Sequence, residues 1–255
     1  MTSRYAYVVA LAFAAICLLP ASAFAAGAIC PSLGVPPSGT TVYGGLEVNG
    51  VCILNNVTIY GGVVVDPTGQ LELENSTVYN GIVVNGGELD LGHGVLSPGG
   101  GTGNPNTVNG GIVFNGALDF DVFNVRVNGG INVTGFFQNI PSMCNSMING
   151  NVTISNATIT PFRMNVGDPD PGEAGFSCPG NTINGSLLMS NVTGFVEIEG
   201  NTITGSVTLL NSNAVDFSNN TVGGSAVCMG TTIRVPEGGD AFGNTTRGLL
   251  NSCPN

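Results

Sequence analysis

The chain has no tryptophan, no lysine and a single histidine, His93, and only 8% of its 255 residues are charged. Each shortage excludes something. A formal charge of −11 carried without any lysine makes a poor nucleic-acid partner, because neutralising phosphates takes cations. One histidine and the lack of any C-x-x-C pair leave little from which to build a zinc site. No window offers a convincing helical period. The only long apolar run is at the N-terminus, so no membrane span is expected once that segment is removed. Low charge does not mean disorder either. Residues of the AVILMFWYC class make up 42%, ample for a sizeable core, and valine, isoleucine and leucine clusters recur along the whole chain.

What is present begins with an export signature. Arg4 precedes an apolar stretch from Tyr5 to Leu19, then Pro20 and the small-residue sites Ala21-Ser22-Ala23 and Ala23-Phe24-Ala25. Residues 1–25 therefore read as a cleaved secretory signal, and the mature protein as secreted, extracellular or associated with the cell envelope. Six cysteines remain: Cys30, Cys52, Cys144, Cys178, Cys228 and Cys253. An even number in an exported chain suggests disulfides, and six cysteines allow 15 pairings. Position favours three local pairs, 30–52, 144–178 and 228–253.

A repeat fills the rest. The phrase reads GGLEV at 44–48, GGVVV at 61–65, NGIVV at 80–84, GGIVF at 110–114, GGINV at 129–133, GNVTI at 150–154, GSLLM at 185–189, GSVTL at 205–209 and GSAVC at 224–228. Six of the eight gaps lie within two residues of 19. A second apolar pair follows about ten residues later, as in Leu71/Leu73, Leu89/Leu91, Leu118/Phe120, Val196/Ile198 and Val215/Phe217, and a short Thr-[IV] element such as Thr58-Ile59 closes each unit. Three mini-strands of period two per unit, repeated every twenty residues or so, mean a solenoid. The expected fold is all-β: a single-stranded parallel β-helix of about nine rungs, right-handed by the general preference of parallel crossovers. It spans 43–235, with an N-terminal cap over 26–42, a C-terminal cap over 236–255 and insertions at 92–106 and 161–180.

Asn56, Asn75, Asn106, Asn124, Asn145, Asn181, Asn201 and Asn220 recur four or five residues before the next unit's phrase. Stacked asparagines pass amide hydrogen bonds from rung to rung. With the N-x-T-[IV] or N-T-[IV]-x-G wording and the stacked apolar positions, the chain resembles right-handed parallel β-helix proteins, the broad group that includes pectate-lyase-like folds. The resemblance covers roughly residues 40–235 and is architectural; no catalytic motif comes with it. The N-x-[ST] sequons that the same wording creates are read as by-products of the ladder.

Acids lie between the inward residues of the second strand: Glu72, Asp90 and Asp119 early, Glu197 and Asp216 later. In a stacked solenoid the first three are expected to form one outward column, either a solvated acidic face or a weak site for a hard cation such as calcium, which would relieve their repulsion. Arg234 is expected one rung beyond Asp216. The second insertion carries Asp168, Asp170 and Glu173, further oxygen ligands for calcium, and a loop of this kind is a natural partner-binding feature. His93 in the first insertion is read as a surface residue.

Three classes of function follow. The foremost is a non-catalytic extracellular module, structural, adhesive or glycan-binding, with a cell-surface glycan or envelope component as partner. The second is a polysaccharide-acting lyase or hydrolase of the pectate-lyase-like type, for which paired carboxylates would be needed. The last is an ice-binding solenoid, for which the threonine column from Thr58 to Thr221 is broken by Arg126 and Met147. No cofactor is called for.

Overall fold

The computed structural model describes residues 27–32, 34–92, 105–167, 179–234 and 243–253. The signal segment expected over 1–25, His93 and the acids Asp168, Asp170 and Glu173 lie outside them. Among the described residues there is no helix, and every strand pairing is parallel. Each turn of chain contributes one strand to each of three faces, and each strand pairs with its counterpart one turn away. The molecule is thus a parallel β-solenoid.

The first face runs through Leu46–Val48, Val63–Val65, Ile82–Val84, Ile112–Asn115 and onward to Ala226–Met229. The second comprises Val51–Asn55, Gln70–Glu74, Glu88–Leu91, Asp119–Phe123, Ser142–Cys144, the latter part of Val152–Gly167, Thr193–Glu199 and Val215–Ser218. These two faces are one continuous 18-stranded sheet; the third, from Thr41–Tyr43 to Thr245–Thr246, is a separate sheet of ten strands. At the usual spacing of paired strands this gives a rod of roughly 43 Å.

The period of two decides what lies inside. Leu46, Val63, Ile82, Ile112, Ile131, Val152, Leu187, Val207 and Ala226 form one inward column, each almost fully buried. Leu73 is in register with Leu91, the stacking that the repeat demands. Where the core widens, Phe114 stacks on Phe120 with centroids 4.0 Å apart, and Phe137 meets Phe120 edge-on at 5.7 Å.

Several expectations change. The residues of the proposed N-terminal cap already pair with the solenoid: Ala28–Cys30 joins Leu46–Val48, and Thr41–Tyr43 joins Thr58–Tyr60. At the other end, Thr245–Thr246 and Leu250–Asn251 pair with Thr221–Val222 and Ala226–Met229. The insertion placed over 161–180 is shorter, because Pro161–Gly167 completes the 16-residue strand Val152–Gly167, with Asn165 in register with Ser142 and Glu197. Met164 and Val166 are the inward pair there; the proline beside them hid the period. In the first insertion, Asn106 already opens the strand Asn106–Asn109. The stretches 93–104, 168–178 and 235–242 stand in the sequence between the second face and the third, and a smaller irregularity, where Thr158 pairs with Thr193 but Arg163 with Phe195, lies between the first and the second.

Half of the asparagine ladder is displaced by one residue. Asn106, Asn181, Asn201 and Asn220 are 1% exposed and form the ladder, which Asn244 extends. Asn201 accepts from the backbone N–H of Asn181 at 3.0 Å and donates through Nδ2 to Val166 O at 2.7 Å and to Asn220 Oδ1 at 3.0 Å. Asn56, Asn75, Asn124 and Asn145 instead take the corner itself, with φ of 55°, 49°, 52° and 50°. Asparagine tolerates that left-handed conformation better than most residues. The residues after them, Val57, Ser76, Val125 and Ser146, hold the inward position. Ser76 and Ser146 fill the ladder there by accepting from the N–H of Val57 and Val125, both at 3.1 Å.

Disulfides close both ends. Cys30–Cys52 and Cys228–Cys253 are formed, and Cys52 and Cys228 take inward positions in register with Leu71 and Leu209. Cys144 is disulfide-bonded as well; Cys178, its expected partner, lies outside the described residues.

Candidate functional site

The outward side chains of the second face make two columns. One is Val51, Gln70, Glu88 and Asp119; the other is Ile53, Glu72, Asp90 and Asp121, continuing through Ser142, Asn165, Glu197 and Asp216. Asp119 therefore does not stack on Asp90 as expected; it lies beside Glu88, and Asp121 is the residue that extends the column of Glu72 and Asp90. The cause is visible locally. LDFDVF alternates for longer than one strand needs, so two registers satisfy the pattern, and the fold buries Phe120 and Val122, not Leu118 and Phe120.

The acids are also less solvated than an acidic outer face implies. Glu72 is 6% exposed, Asp90 9%, Glu197 3% and Asp216 3%. At the N-terminal part of this face Glu72, Glu88, Asp90, Asp119 and Asp121 line a single cavity of ≈ 310 Å³, walled on one side by Val51 and Ile53. Like charges this close disfavour ionisation, as does removal from water. Asp119 is pushed up to about 6, first by burial and then by Asp121 and Glu88, against the N–H of Phe120 and the side chain of Asn139, which hold it down. Burial and then Glu74 raise Glu72.

Hydrogen bonding is uneven around the cavity. Gln70 Nε2 donates to Glu88 Oε2 at 2.9 Å, the backbone N–H of Phe120 donates to Asp119 Oδ1 at 2.9 Å, and Ser142 Oγ donates to Asp121. Glu72 makes no hydrogen bond or ion pair with any described residue. Toward the C-terminal end the same column meets cations. Arg163 Nη1 bonds Glu197 Oε1 at 3.1 Å, and Arg234, in register beyond Asp216 as expected, places its guanidinium 4.4 Å from the Phe195 ring centroid. The cations that meet this column among the described residues thus lie at its C-terminal part.

The carboxylates surround the cavity without converging: among the described residues no three His, Cys, Asp or Glu side chains are placed to hold a metal ion. The calcium site expected from Glu72, Asp90 and Asp119 has no such cage there.

The third face carries features that the sequence reading took only in part. Thr41 and Thr245 lengthen the threonine column, but Arg126 and Met147 interrupt it in register. Beside it, Tyr43, Tyr60 and Tyr79 stack at 5.5 and 4.6 Å with planes within 9°. Their faces are spent on one another, leaving edges and the outer face of Tyr43, so they make a poor sugar platform. Below them Asn128, Asn149 and Asn184 each donate to the preceding asparagine, from Asn109 onward, at 2.7, 2.8 and 2.8 Å. This outer amide chain is not among the expectations drawn from the sequence; its signal is the asparagine that directly precedes Gly110, Gly129, Gly150 and Gly185.

Compared with known proteins, the chain matches no family model, no curated protein and no solved structure.

Proposed function

We propose that this protein is an extracellular, non-catalytic β-solenoid that binds a glycan in the cavity of its second face. The observation that carries this reading is the cavity itself, a concave site on an otherwise regular rod where five carboxylates and the amides of Gln70 and Asn139 meet the apolar Val51 and Ile53. Carboxylate and amide groups suit sugar hydroxyls, and apolar side chains suit the C–H faces of a pyranose; a few convergent polar groups in a partly apolar hollow are the usual make-up of a small-ligand site. Two disulfides at the ends, and no helix among the described residues long and apolar enough to cross a membrane, are compatible with export. The test is a glycan-array screen of the chain from residue 26 onward. Selective binding that is weakened by replacing Glu72 and Asp90 supports the reading, and an array without any bound glycan rejects it.

A second reading rests on one pair. Asp119, held at about 6, and Asp121 project from the same side of one strand, their Cα atoms about 6.8 Å apart by strand geometry. An inverting glycoside hydrolase needs its acid and base carboxyl groups roughly 6.5–9.5 Å apart, a span within reach of two aspartate side chains rooted at this distance. Release of reducing ends from any glycan that binds, abolished in Asp119→Asn and Asp121→Asn, would replace the binding reading with this one.

A further inference from the structure

We infer that two copies of this chain pair through their first faces, with their long axes antiparallel. The inference is independent of glycan binding and rests on the outward column of that face. The column starts at Glu47, runs through Val64, Val83 and Val113, and turns apolar again at Leu188 and Val227, with Asn132 and Thr153 at its middle. The three valines, Leu188 and Val227 each point outward, half-buried, beside the buried residues of their strands. Two residues before each member of the column stands glycine, Asn151 or serine, so nothing large rises beside it and the face is flat. A flat sheet face of this kind covers its apolar stripe against another sheet, the two lying about 10 Å apart.

Charge selects both the partner and its orientation. The chain carries a formal charge of −11, and copies of it repel. The second face presents acids, and the third is broken by Arg126. On the first face, from Val83 to Val227, neither the column nor the outward positions two residues to either side hold a charged residue; Glu47 and Asp66 stand only at the N-terminal end. Two copies can therefore meet on this stretch without opposing acids. Parallel axes would set Glu47 against Glu47 of the second copy. About a two-fold axis between Asn132 and Thr153, Val113 instead meets Leu188 of the second copy, Val64 meets Val227, and Glu47 meets Asn251, which extends the column. Such a contact is self-complementary and closed. Nine strands, from Leu46–Val48 to Ala226–Met229, make up this face. At the usual strand spacing they cover roughly 500 Å² on each copy, about 1,000 Å² in all, the lower bound for a specific interface. So modest an area gives a pair that dissociates in the micromolar range and a chain that is a monomer when dilute.

Sedimentation equilibrium of the chain from residue 26 onward, loaded from about 1 μM to about 500 μM, tests this. The expected result is a monomer–dimer equilibrium. Val113→Asp and Leu188→Arg, each checked for a cooperative melting transition, are expected to weaken self-association at least about tenfold. Thr107→Asp adds the same charge to the third face and is expected to leave association within about twofold of wild type. Mixing the first two variants is expected to restore pairing, because the new carboxylate of one copy then faces the new guanidinium of the other while an unaltered leucine and valine meet at the second contact. A monomer at every concentration overturns the inference. Association that survives Val113→Asp, or that Thr107→Asp weakens as much, also overturns it. A mixture that pairs no better than its components does the same, since the antiparallel register would then be wrong.

Discussion

Single side chains hold the turns of this rod in place. Asn201 satisfies the N–H of Asn181 and the carbonyl of Val166 at once, both deep in the chain's interior. Asn201→Ala strands these groups without water, at a cost of about 2–4 kcal/mol, read as a lower urea midpoint with an unchanged slope. Asp119 acts in the opposite sense. Its folded value of about 6 lies above the 3.8 of an ordinary aspartate, so protonation favours the folded state. Its contribution is complete below about pH 4 and is lost as the pH rises through 6. The groups that face it, Asp121, Glu88 and Asn139, belong to its own strand, the neighbouring strand and the adjoining corner. A rise from 3.8 to about 6 would correspond to about 3 kcal/mol; partial solvent access reduces this to about 1–2 kcal/mol. Asp119→Asn is therefore expected to melt several degrees higher than wild type at pH 7 and at nearly the same temperature at pH 4. A stabilisation independent of pH would contradict this account.

At the scale of elements, the corner from the third face to the first is built from glycine. Gly129, Gly150, Gly185, Gly205 and Gly224 sit over one another, and a Cβ on Gly150 would lie 2.7 Å from the backbone of Gly129. Since backbone cannot yield as a side-chain tip can, Gly150→Ala should cost roughly 2 kcal/mol or more, measurable as a fall in melting temperature. The repeat that made these corners legible is the same one that revealed the fold. Spacing near 19 residues and inward pairs such as Leu71/Leu73 and Leu89/Leu91 sufficed to stack the turns. What was not legible has a common cause: local patterns that satisfy two registers. LDFDVF alternates long enough to admit either Leu118/Phe120 or Phe120/Val122, which misplaced Asp119. The ladder offers N-x-T as well as N-T, and where a threonine follows, its spacing tells a left-handed corner asparagine from a buried one: Asn56 stands two before Thr58, Asn201 one before Thr202. The cavity was beyond reach for a different reason. The acids were visible, but alternation says which side of a strand a residue takes and nothing about how much water that side meets.

For the whole molecule, the ends are the weak places. A solenoid's terminal strands offer unpaired edges to other chains, and here each end is fastened by a disulfide whose inner cysteine sits in the core. Cys228–Cys253 closes a loop of 25 residues, worth roughly 3 kcal/mol by loop closure. Cys253→Ser is expected to free Leu250–Asn251 from Ala226–Met229, lower the melting temperature and shift the protein toward oligomers by light scattering; a variant that stays monomeric and equally stable would show that the clamp is dispensable. Turns between the two clamps are expected to share their stability with neighbours only, as in other linear repeats.

The stretches 93–104, 168–178 and 235–242 each stand in the sequence between a strand of the second face and one of the third. The corner of close-packed glycines has no room for added chain, whereas here the hydrogen bonding resumes at Asn106, Asn181 and Asn244 after each stretch. The architecture thus has a preferred seam for accretion. New sequence inserted along it would enter between the second face and the third, so the chain can lengthen there without disturbing how the rod is wound.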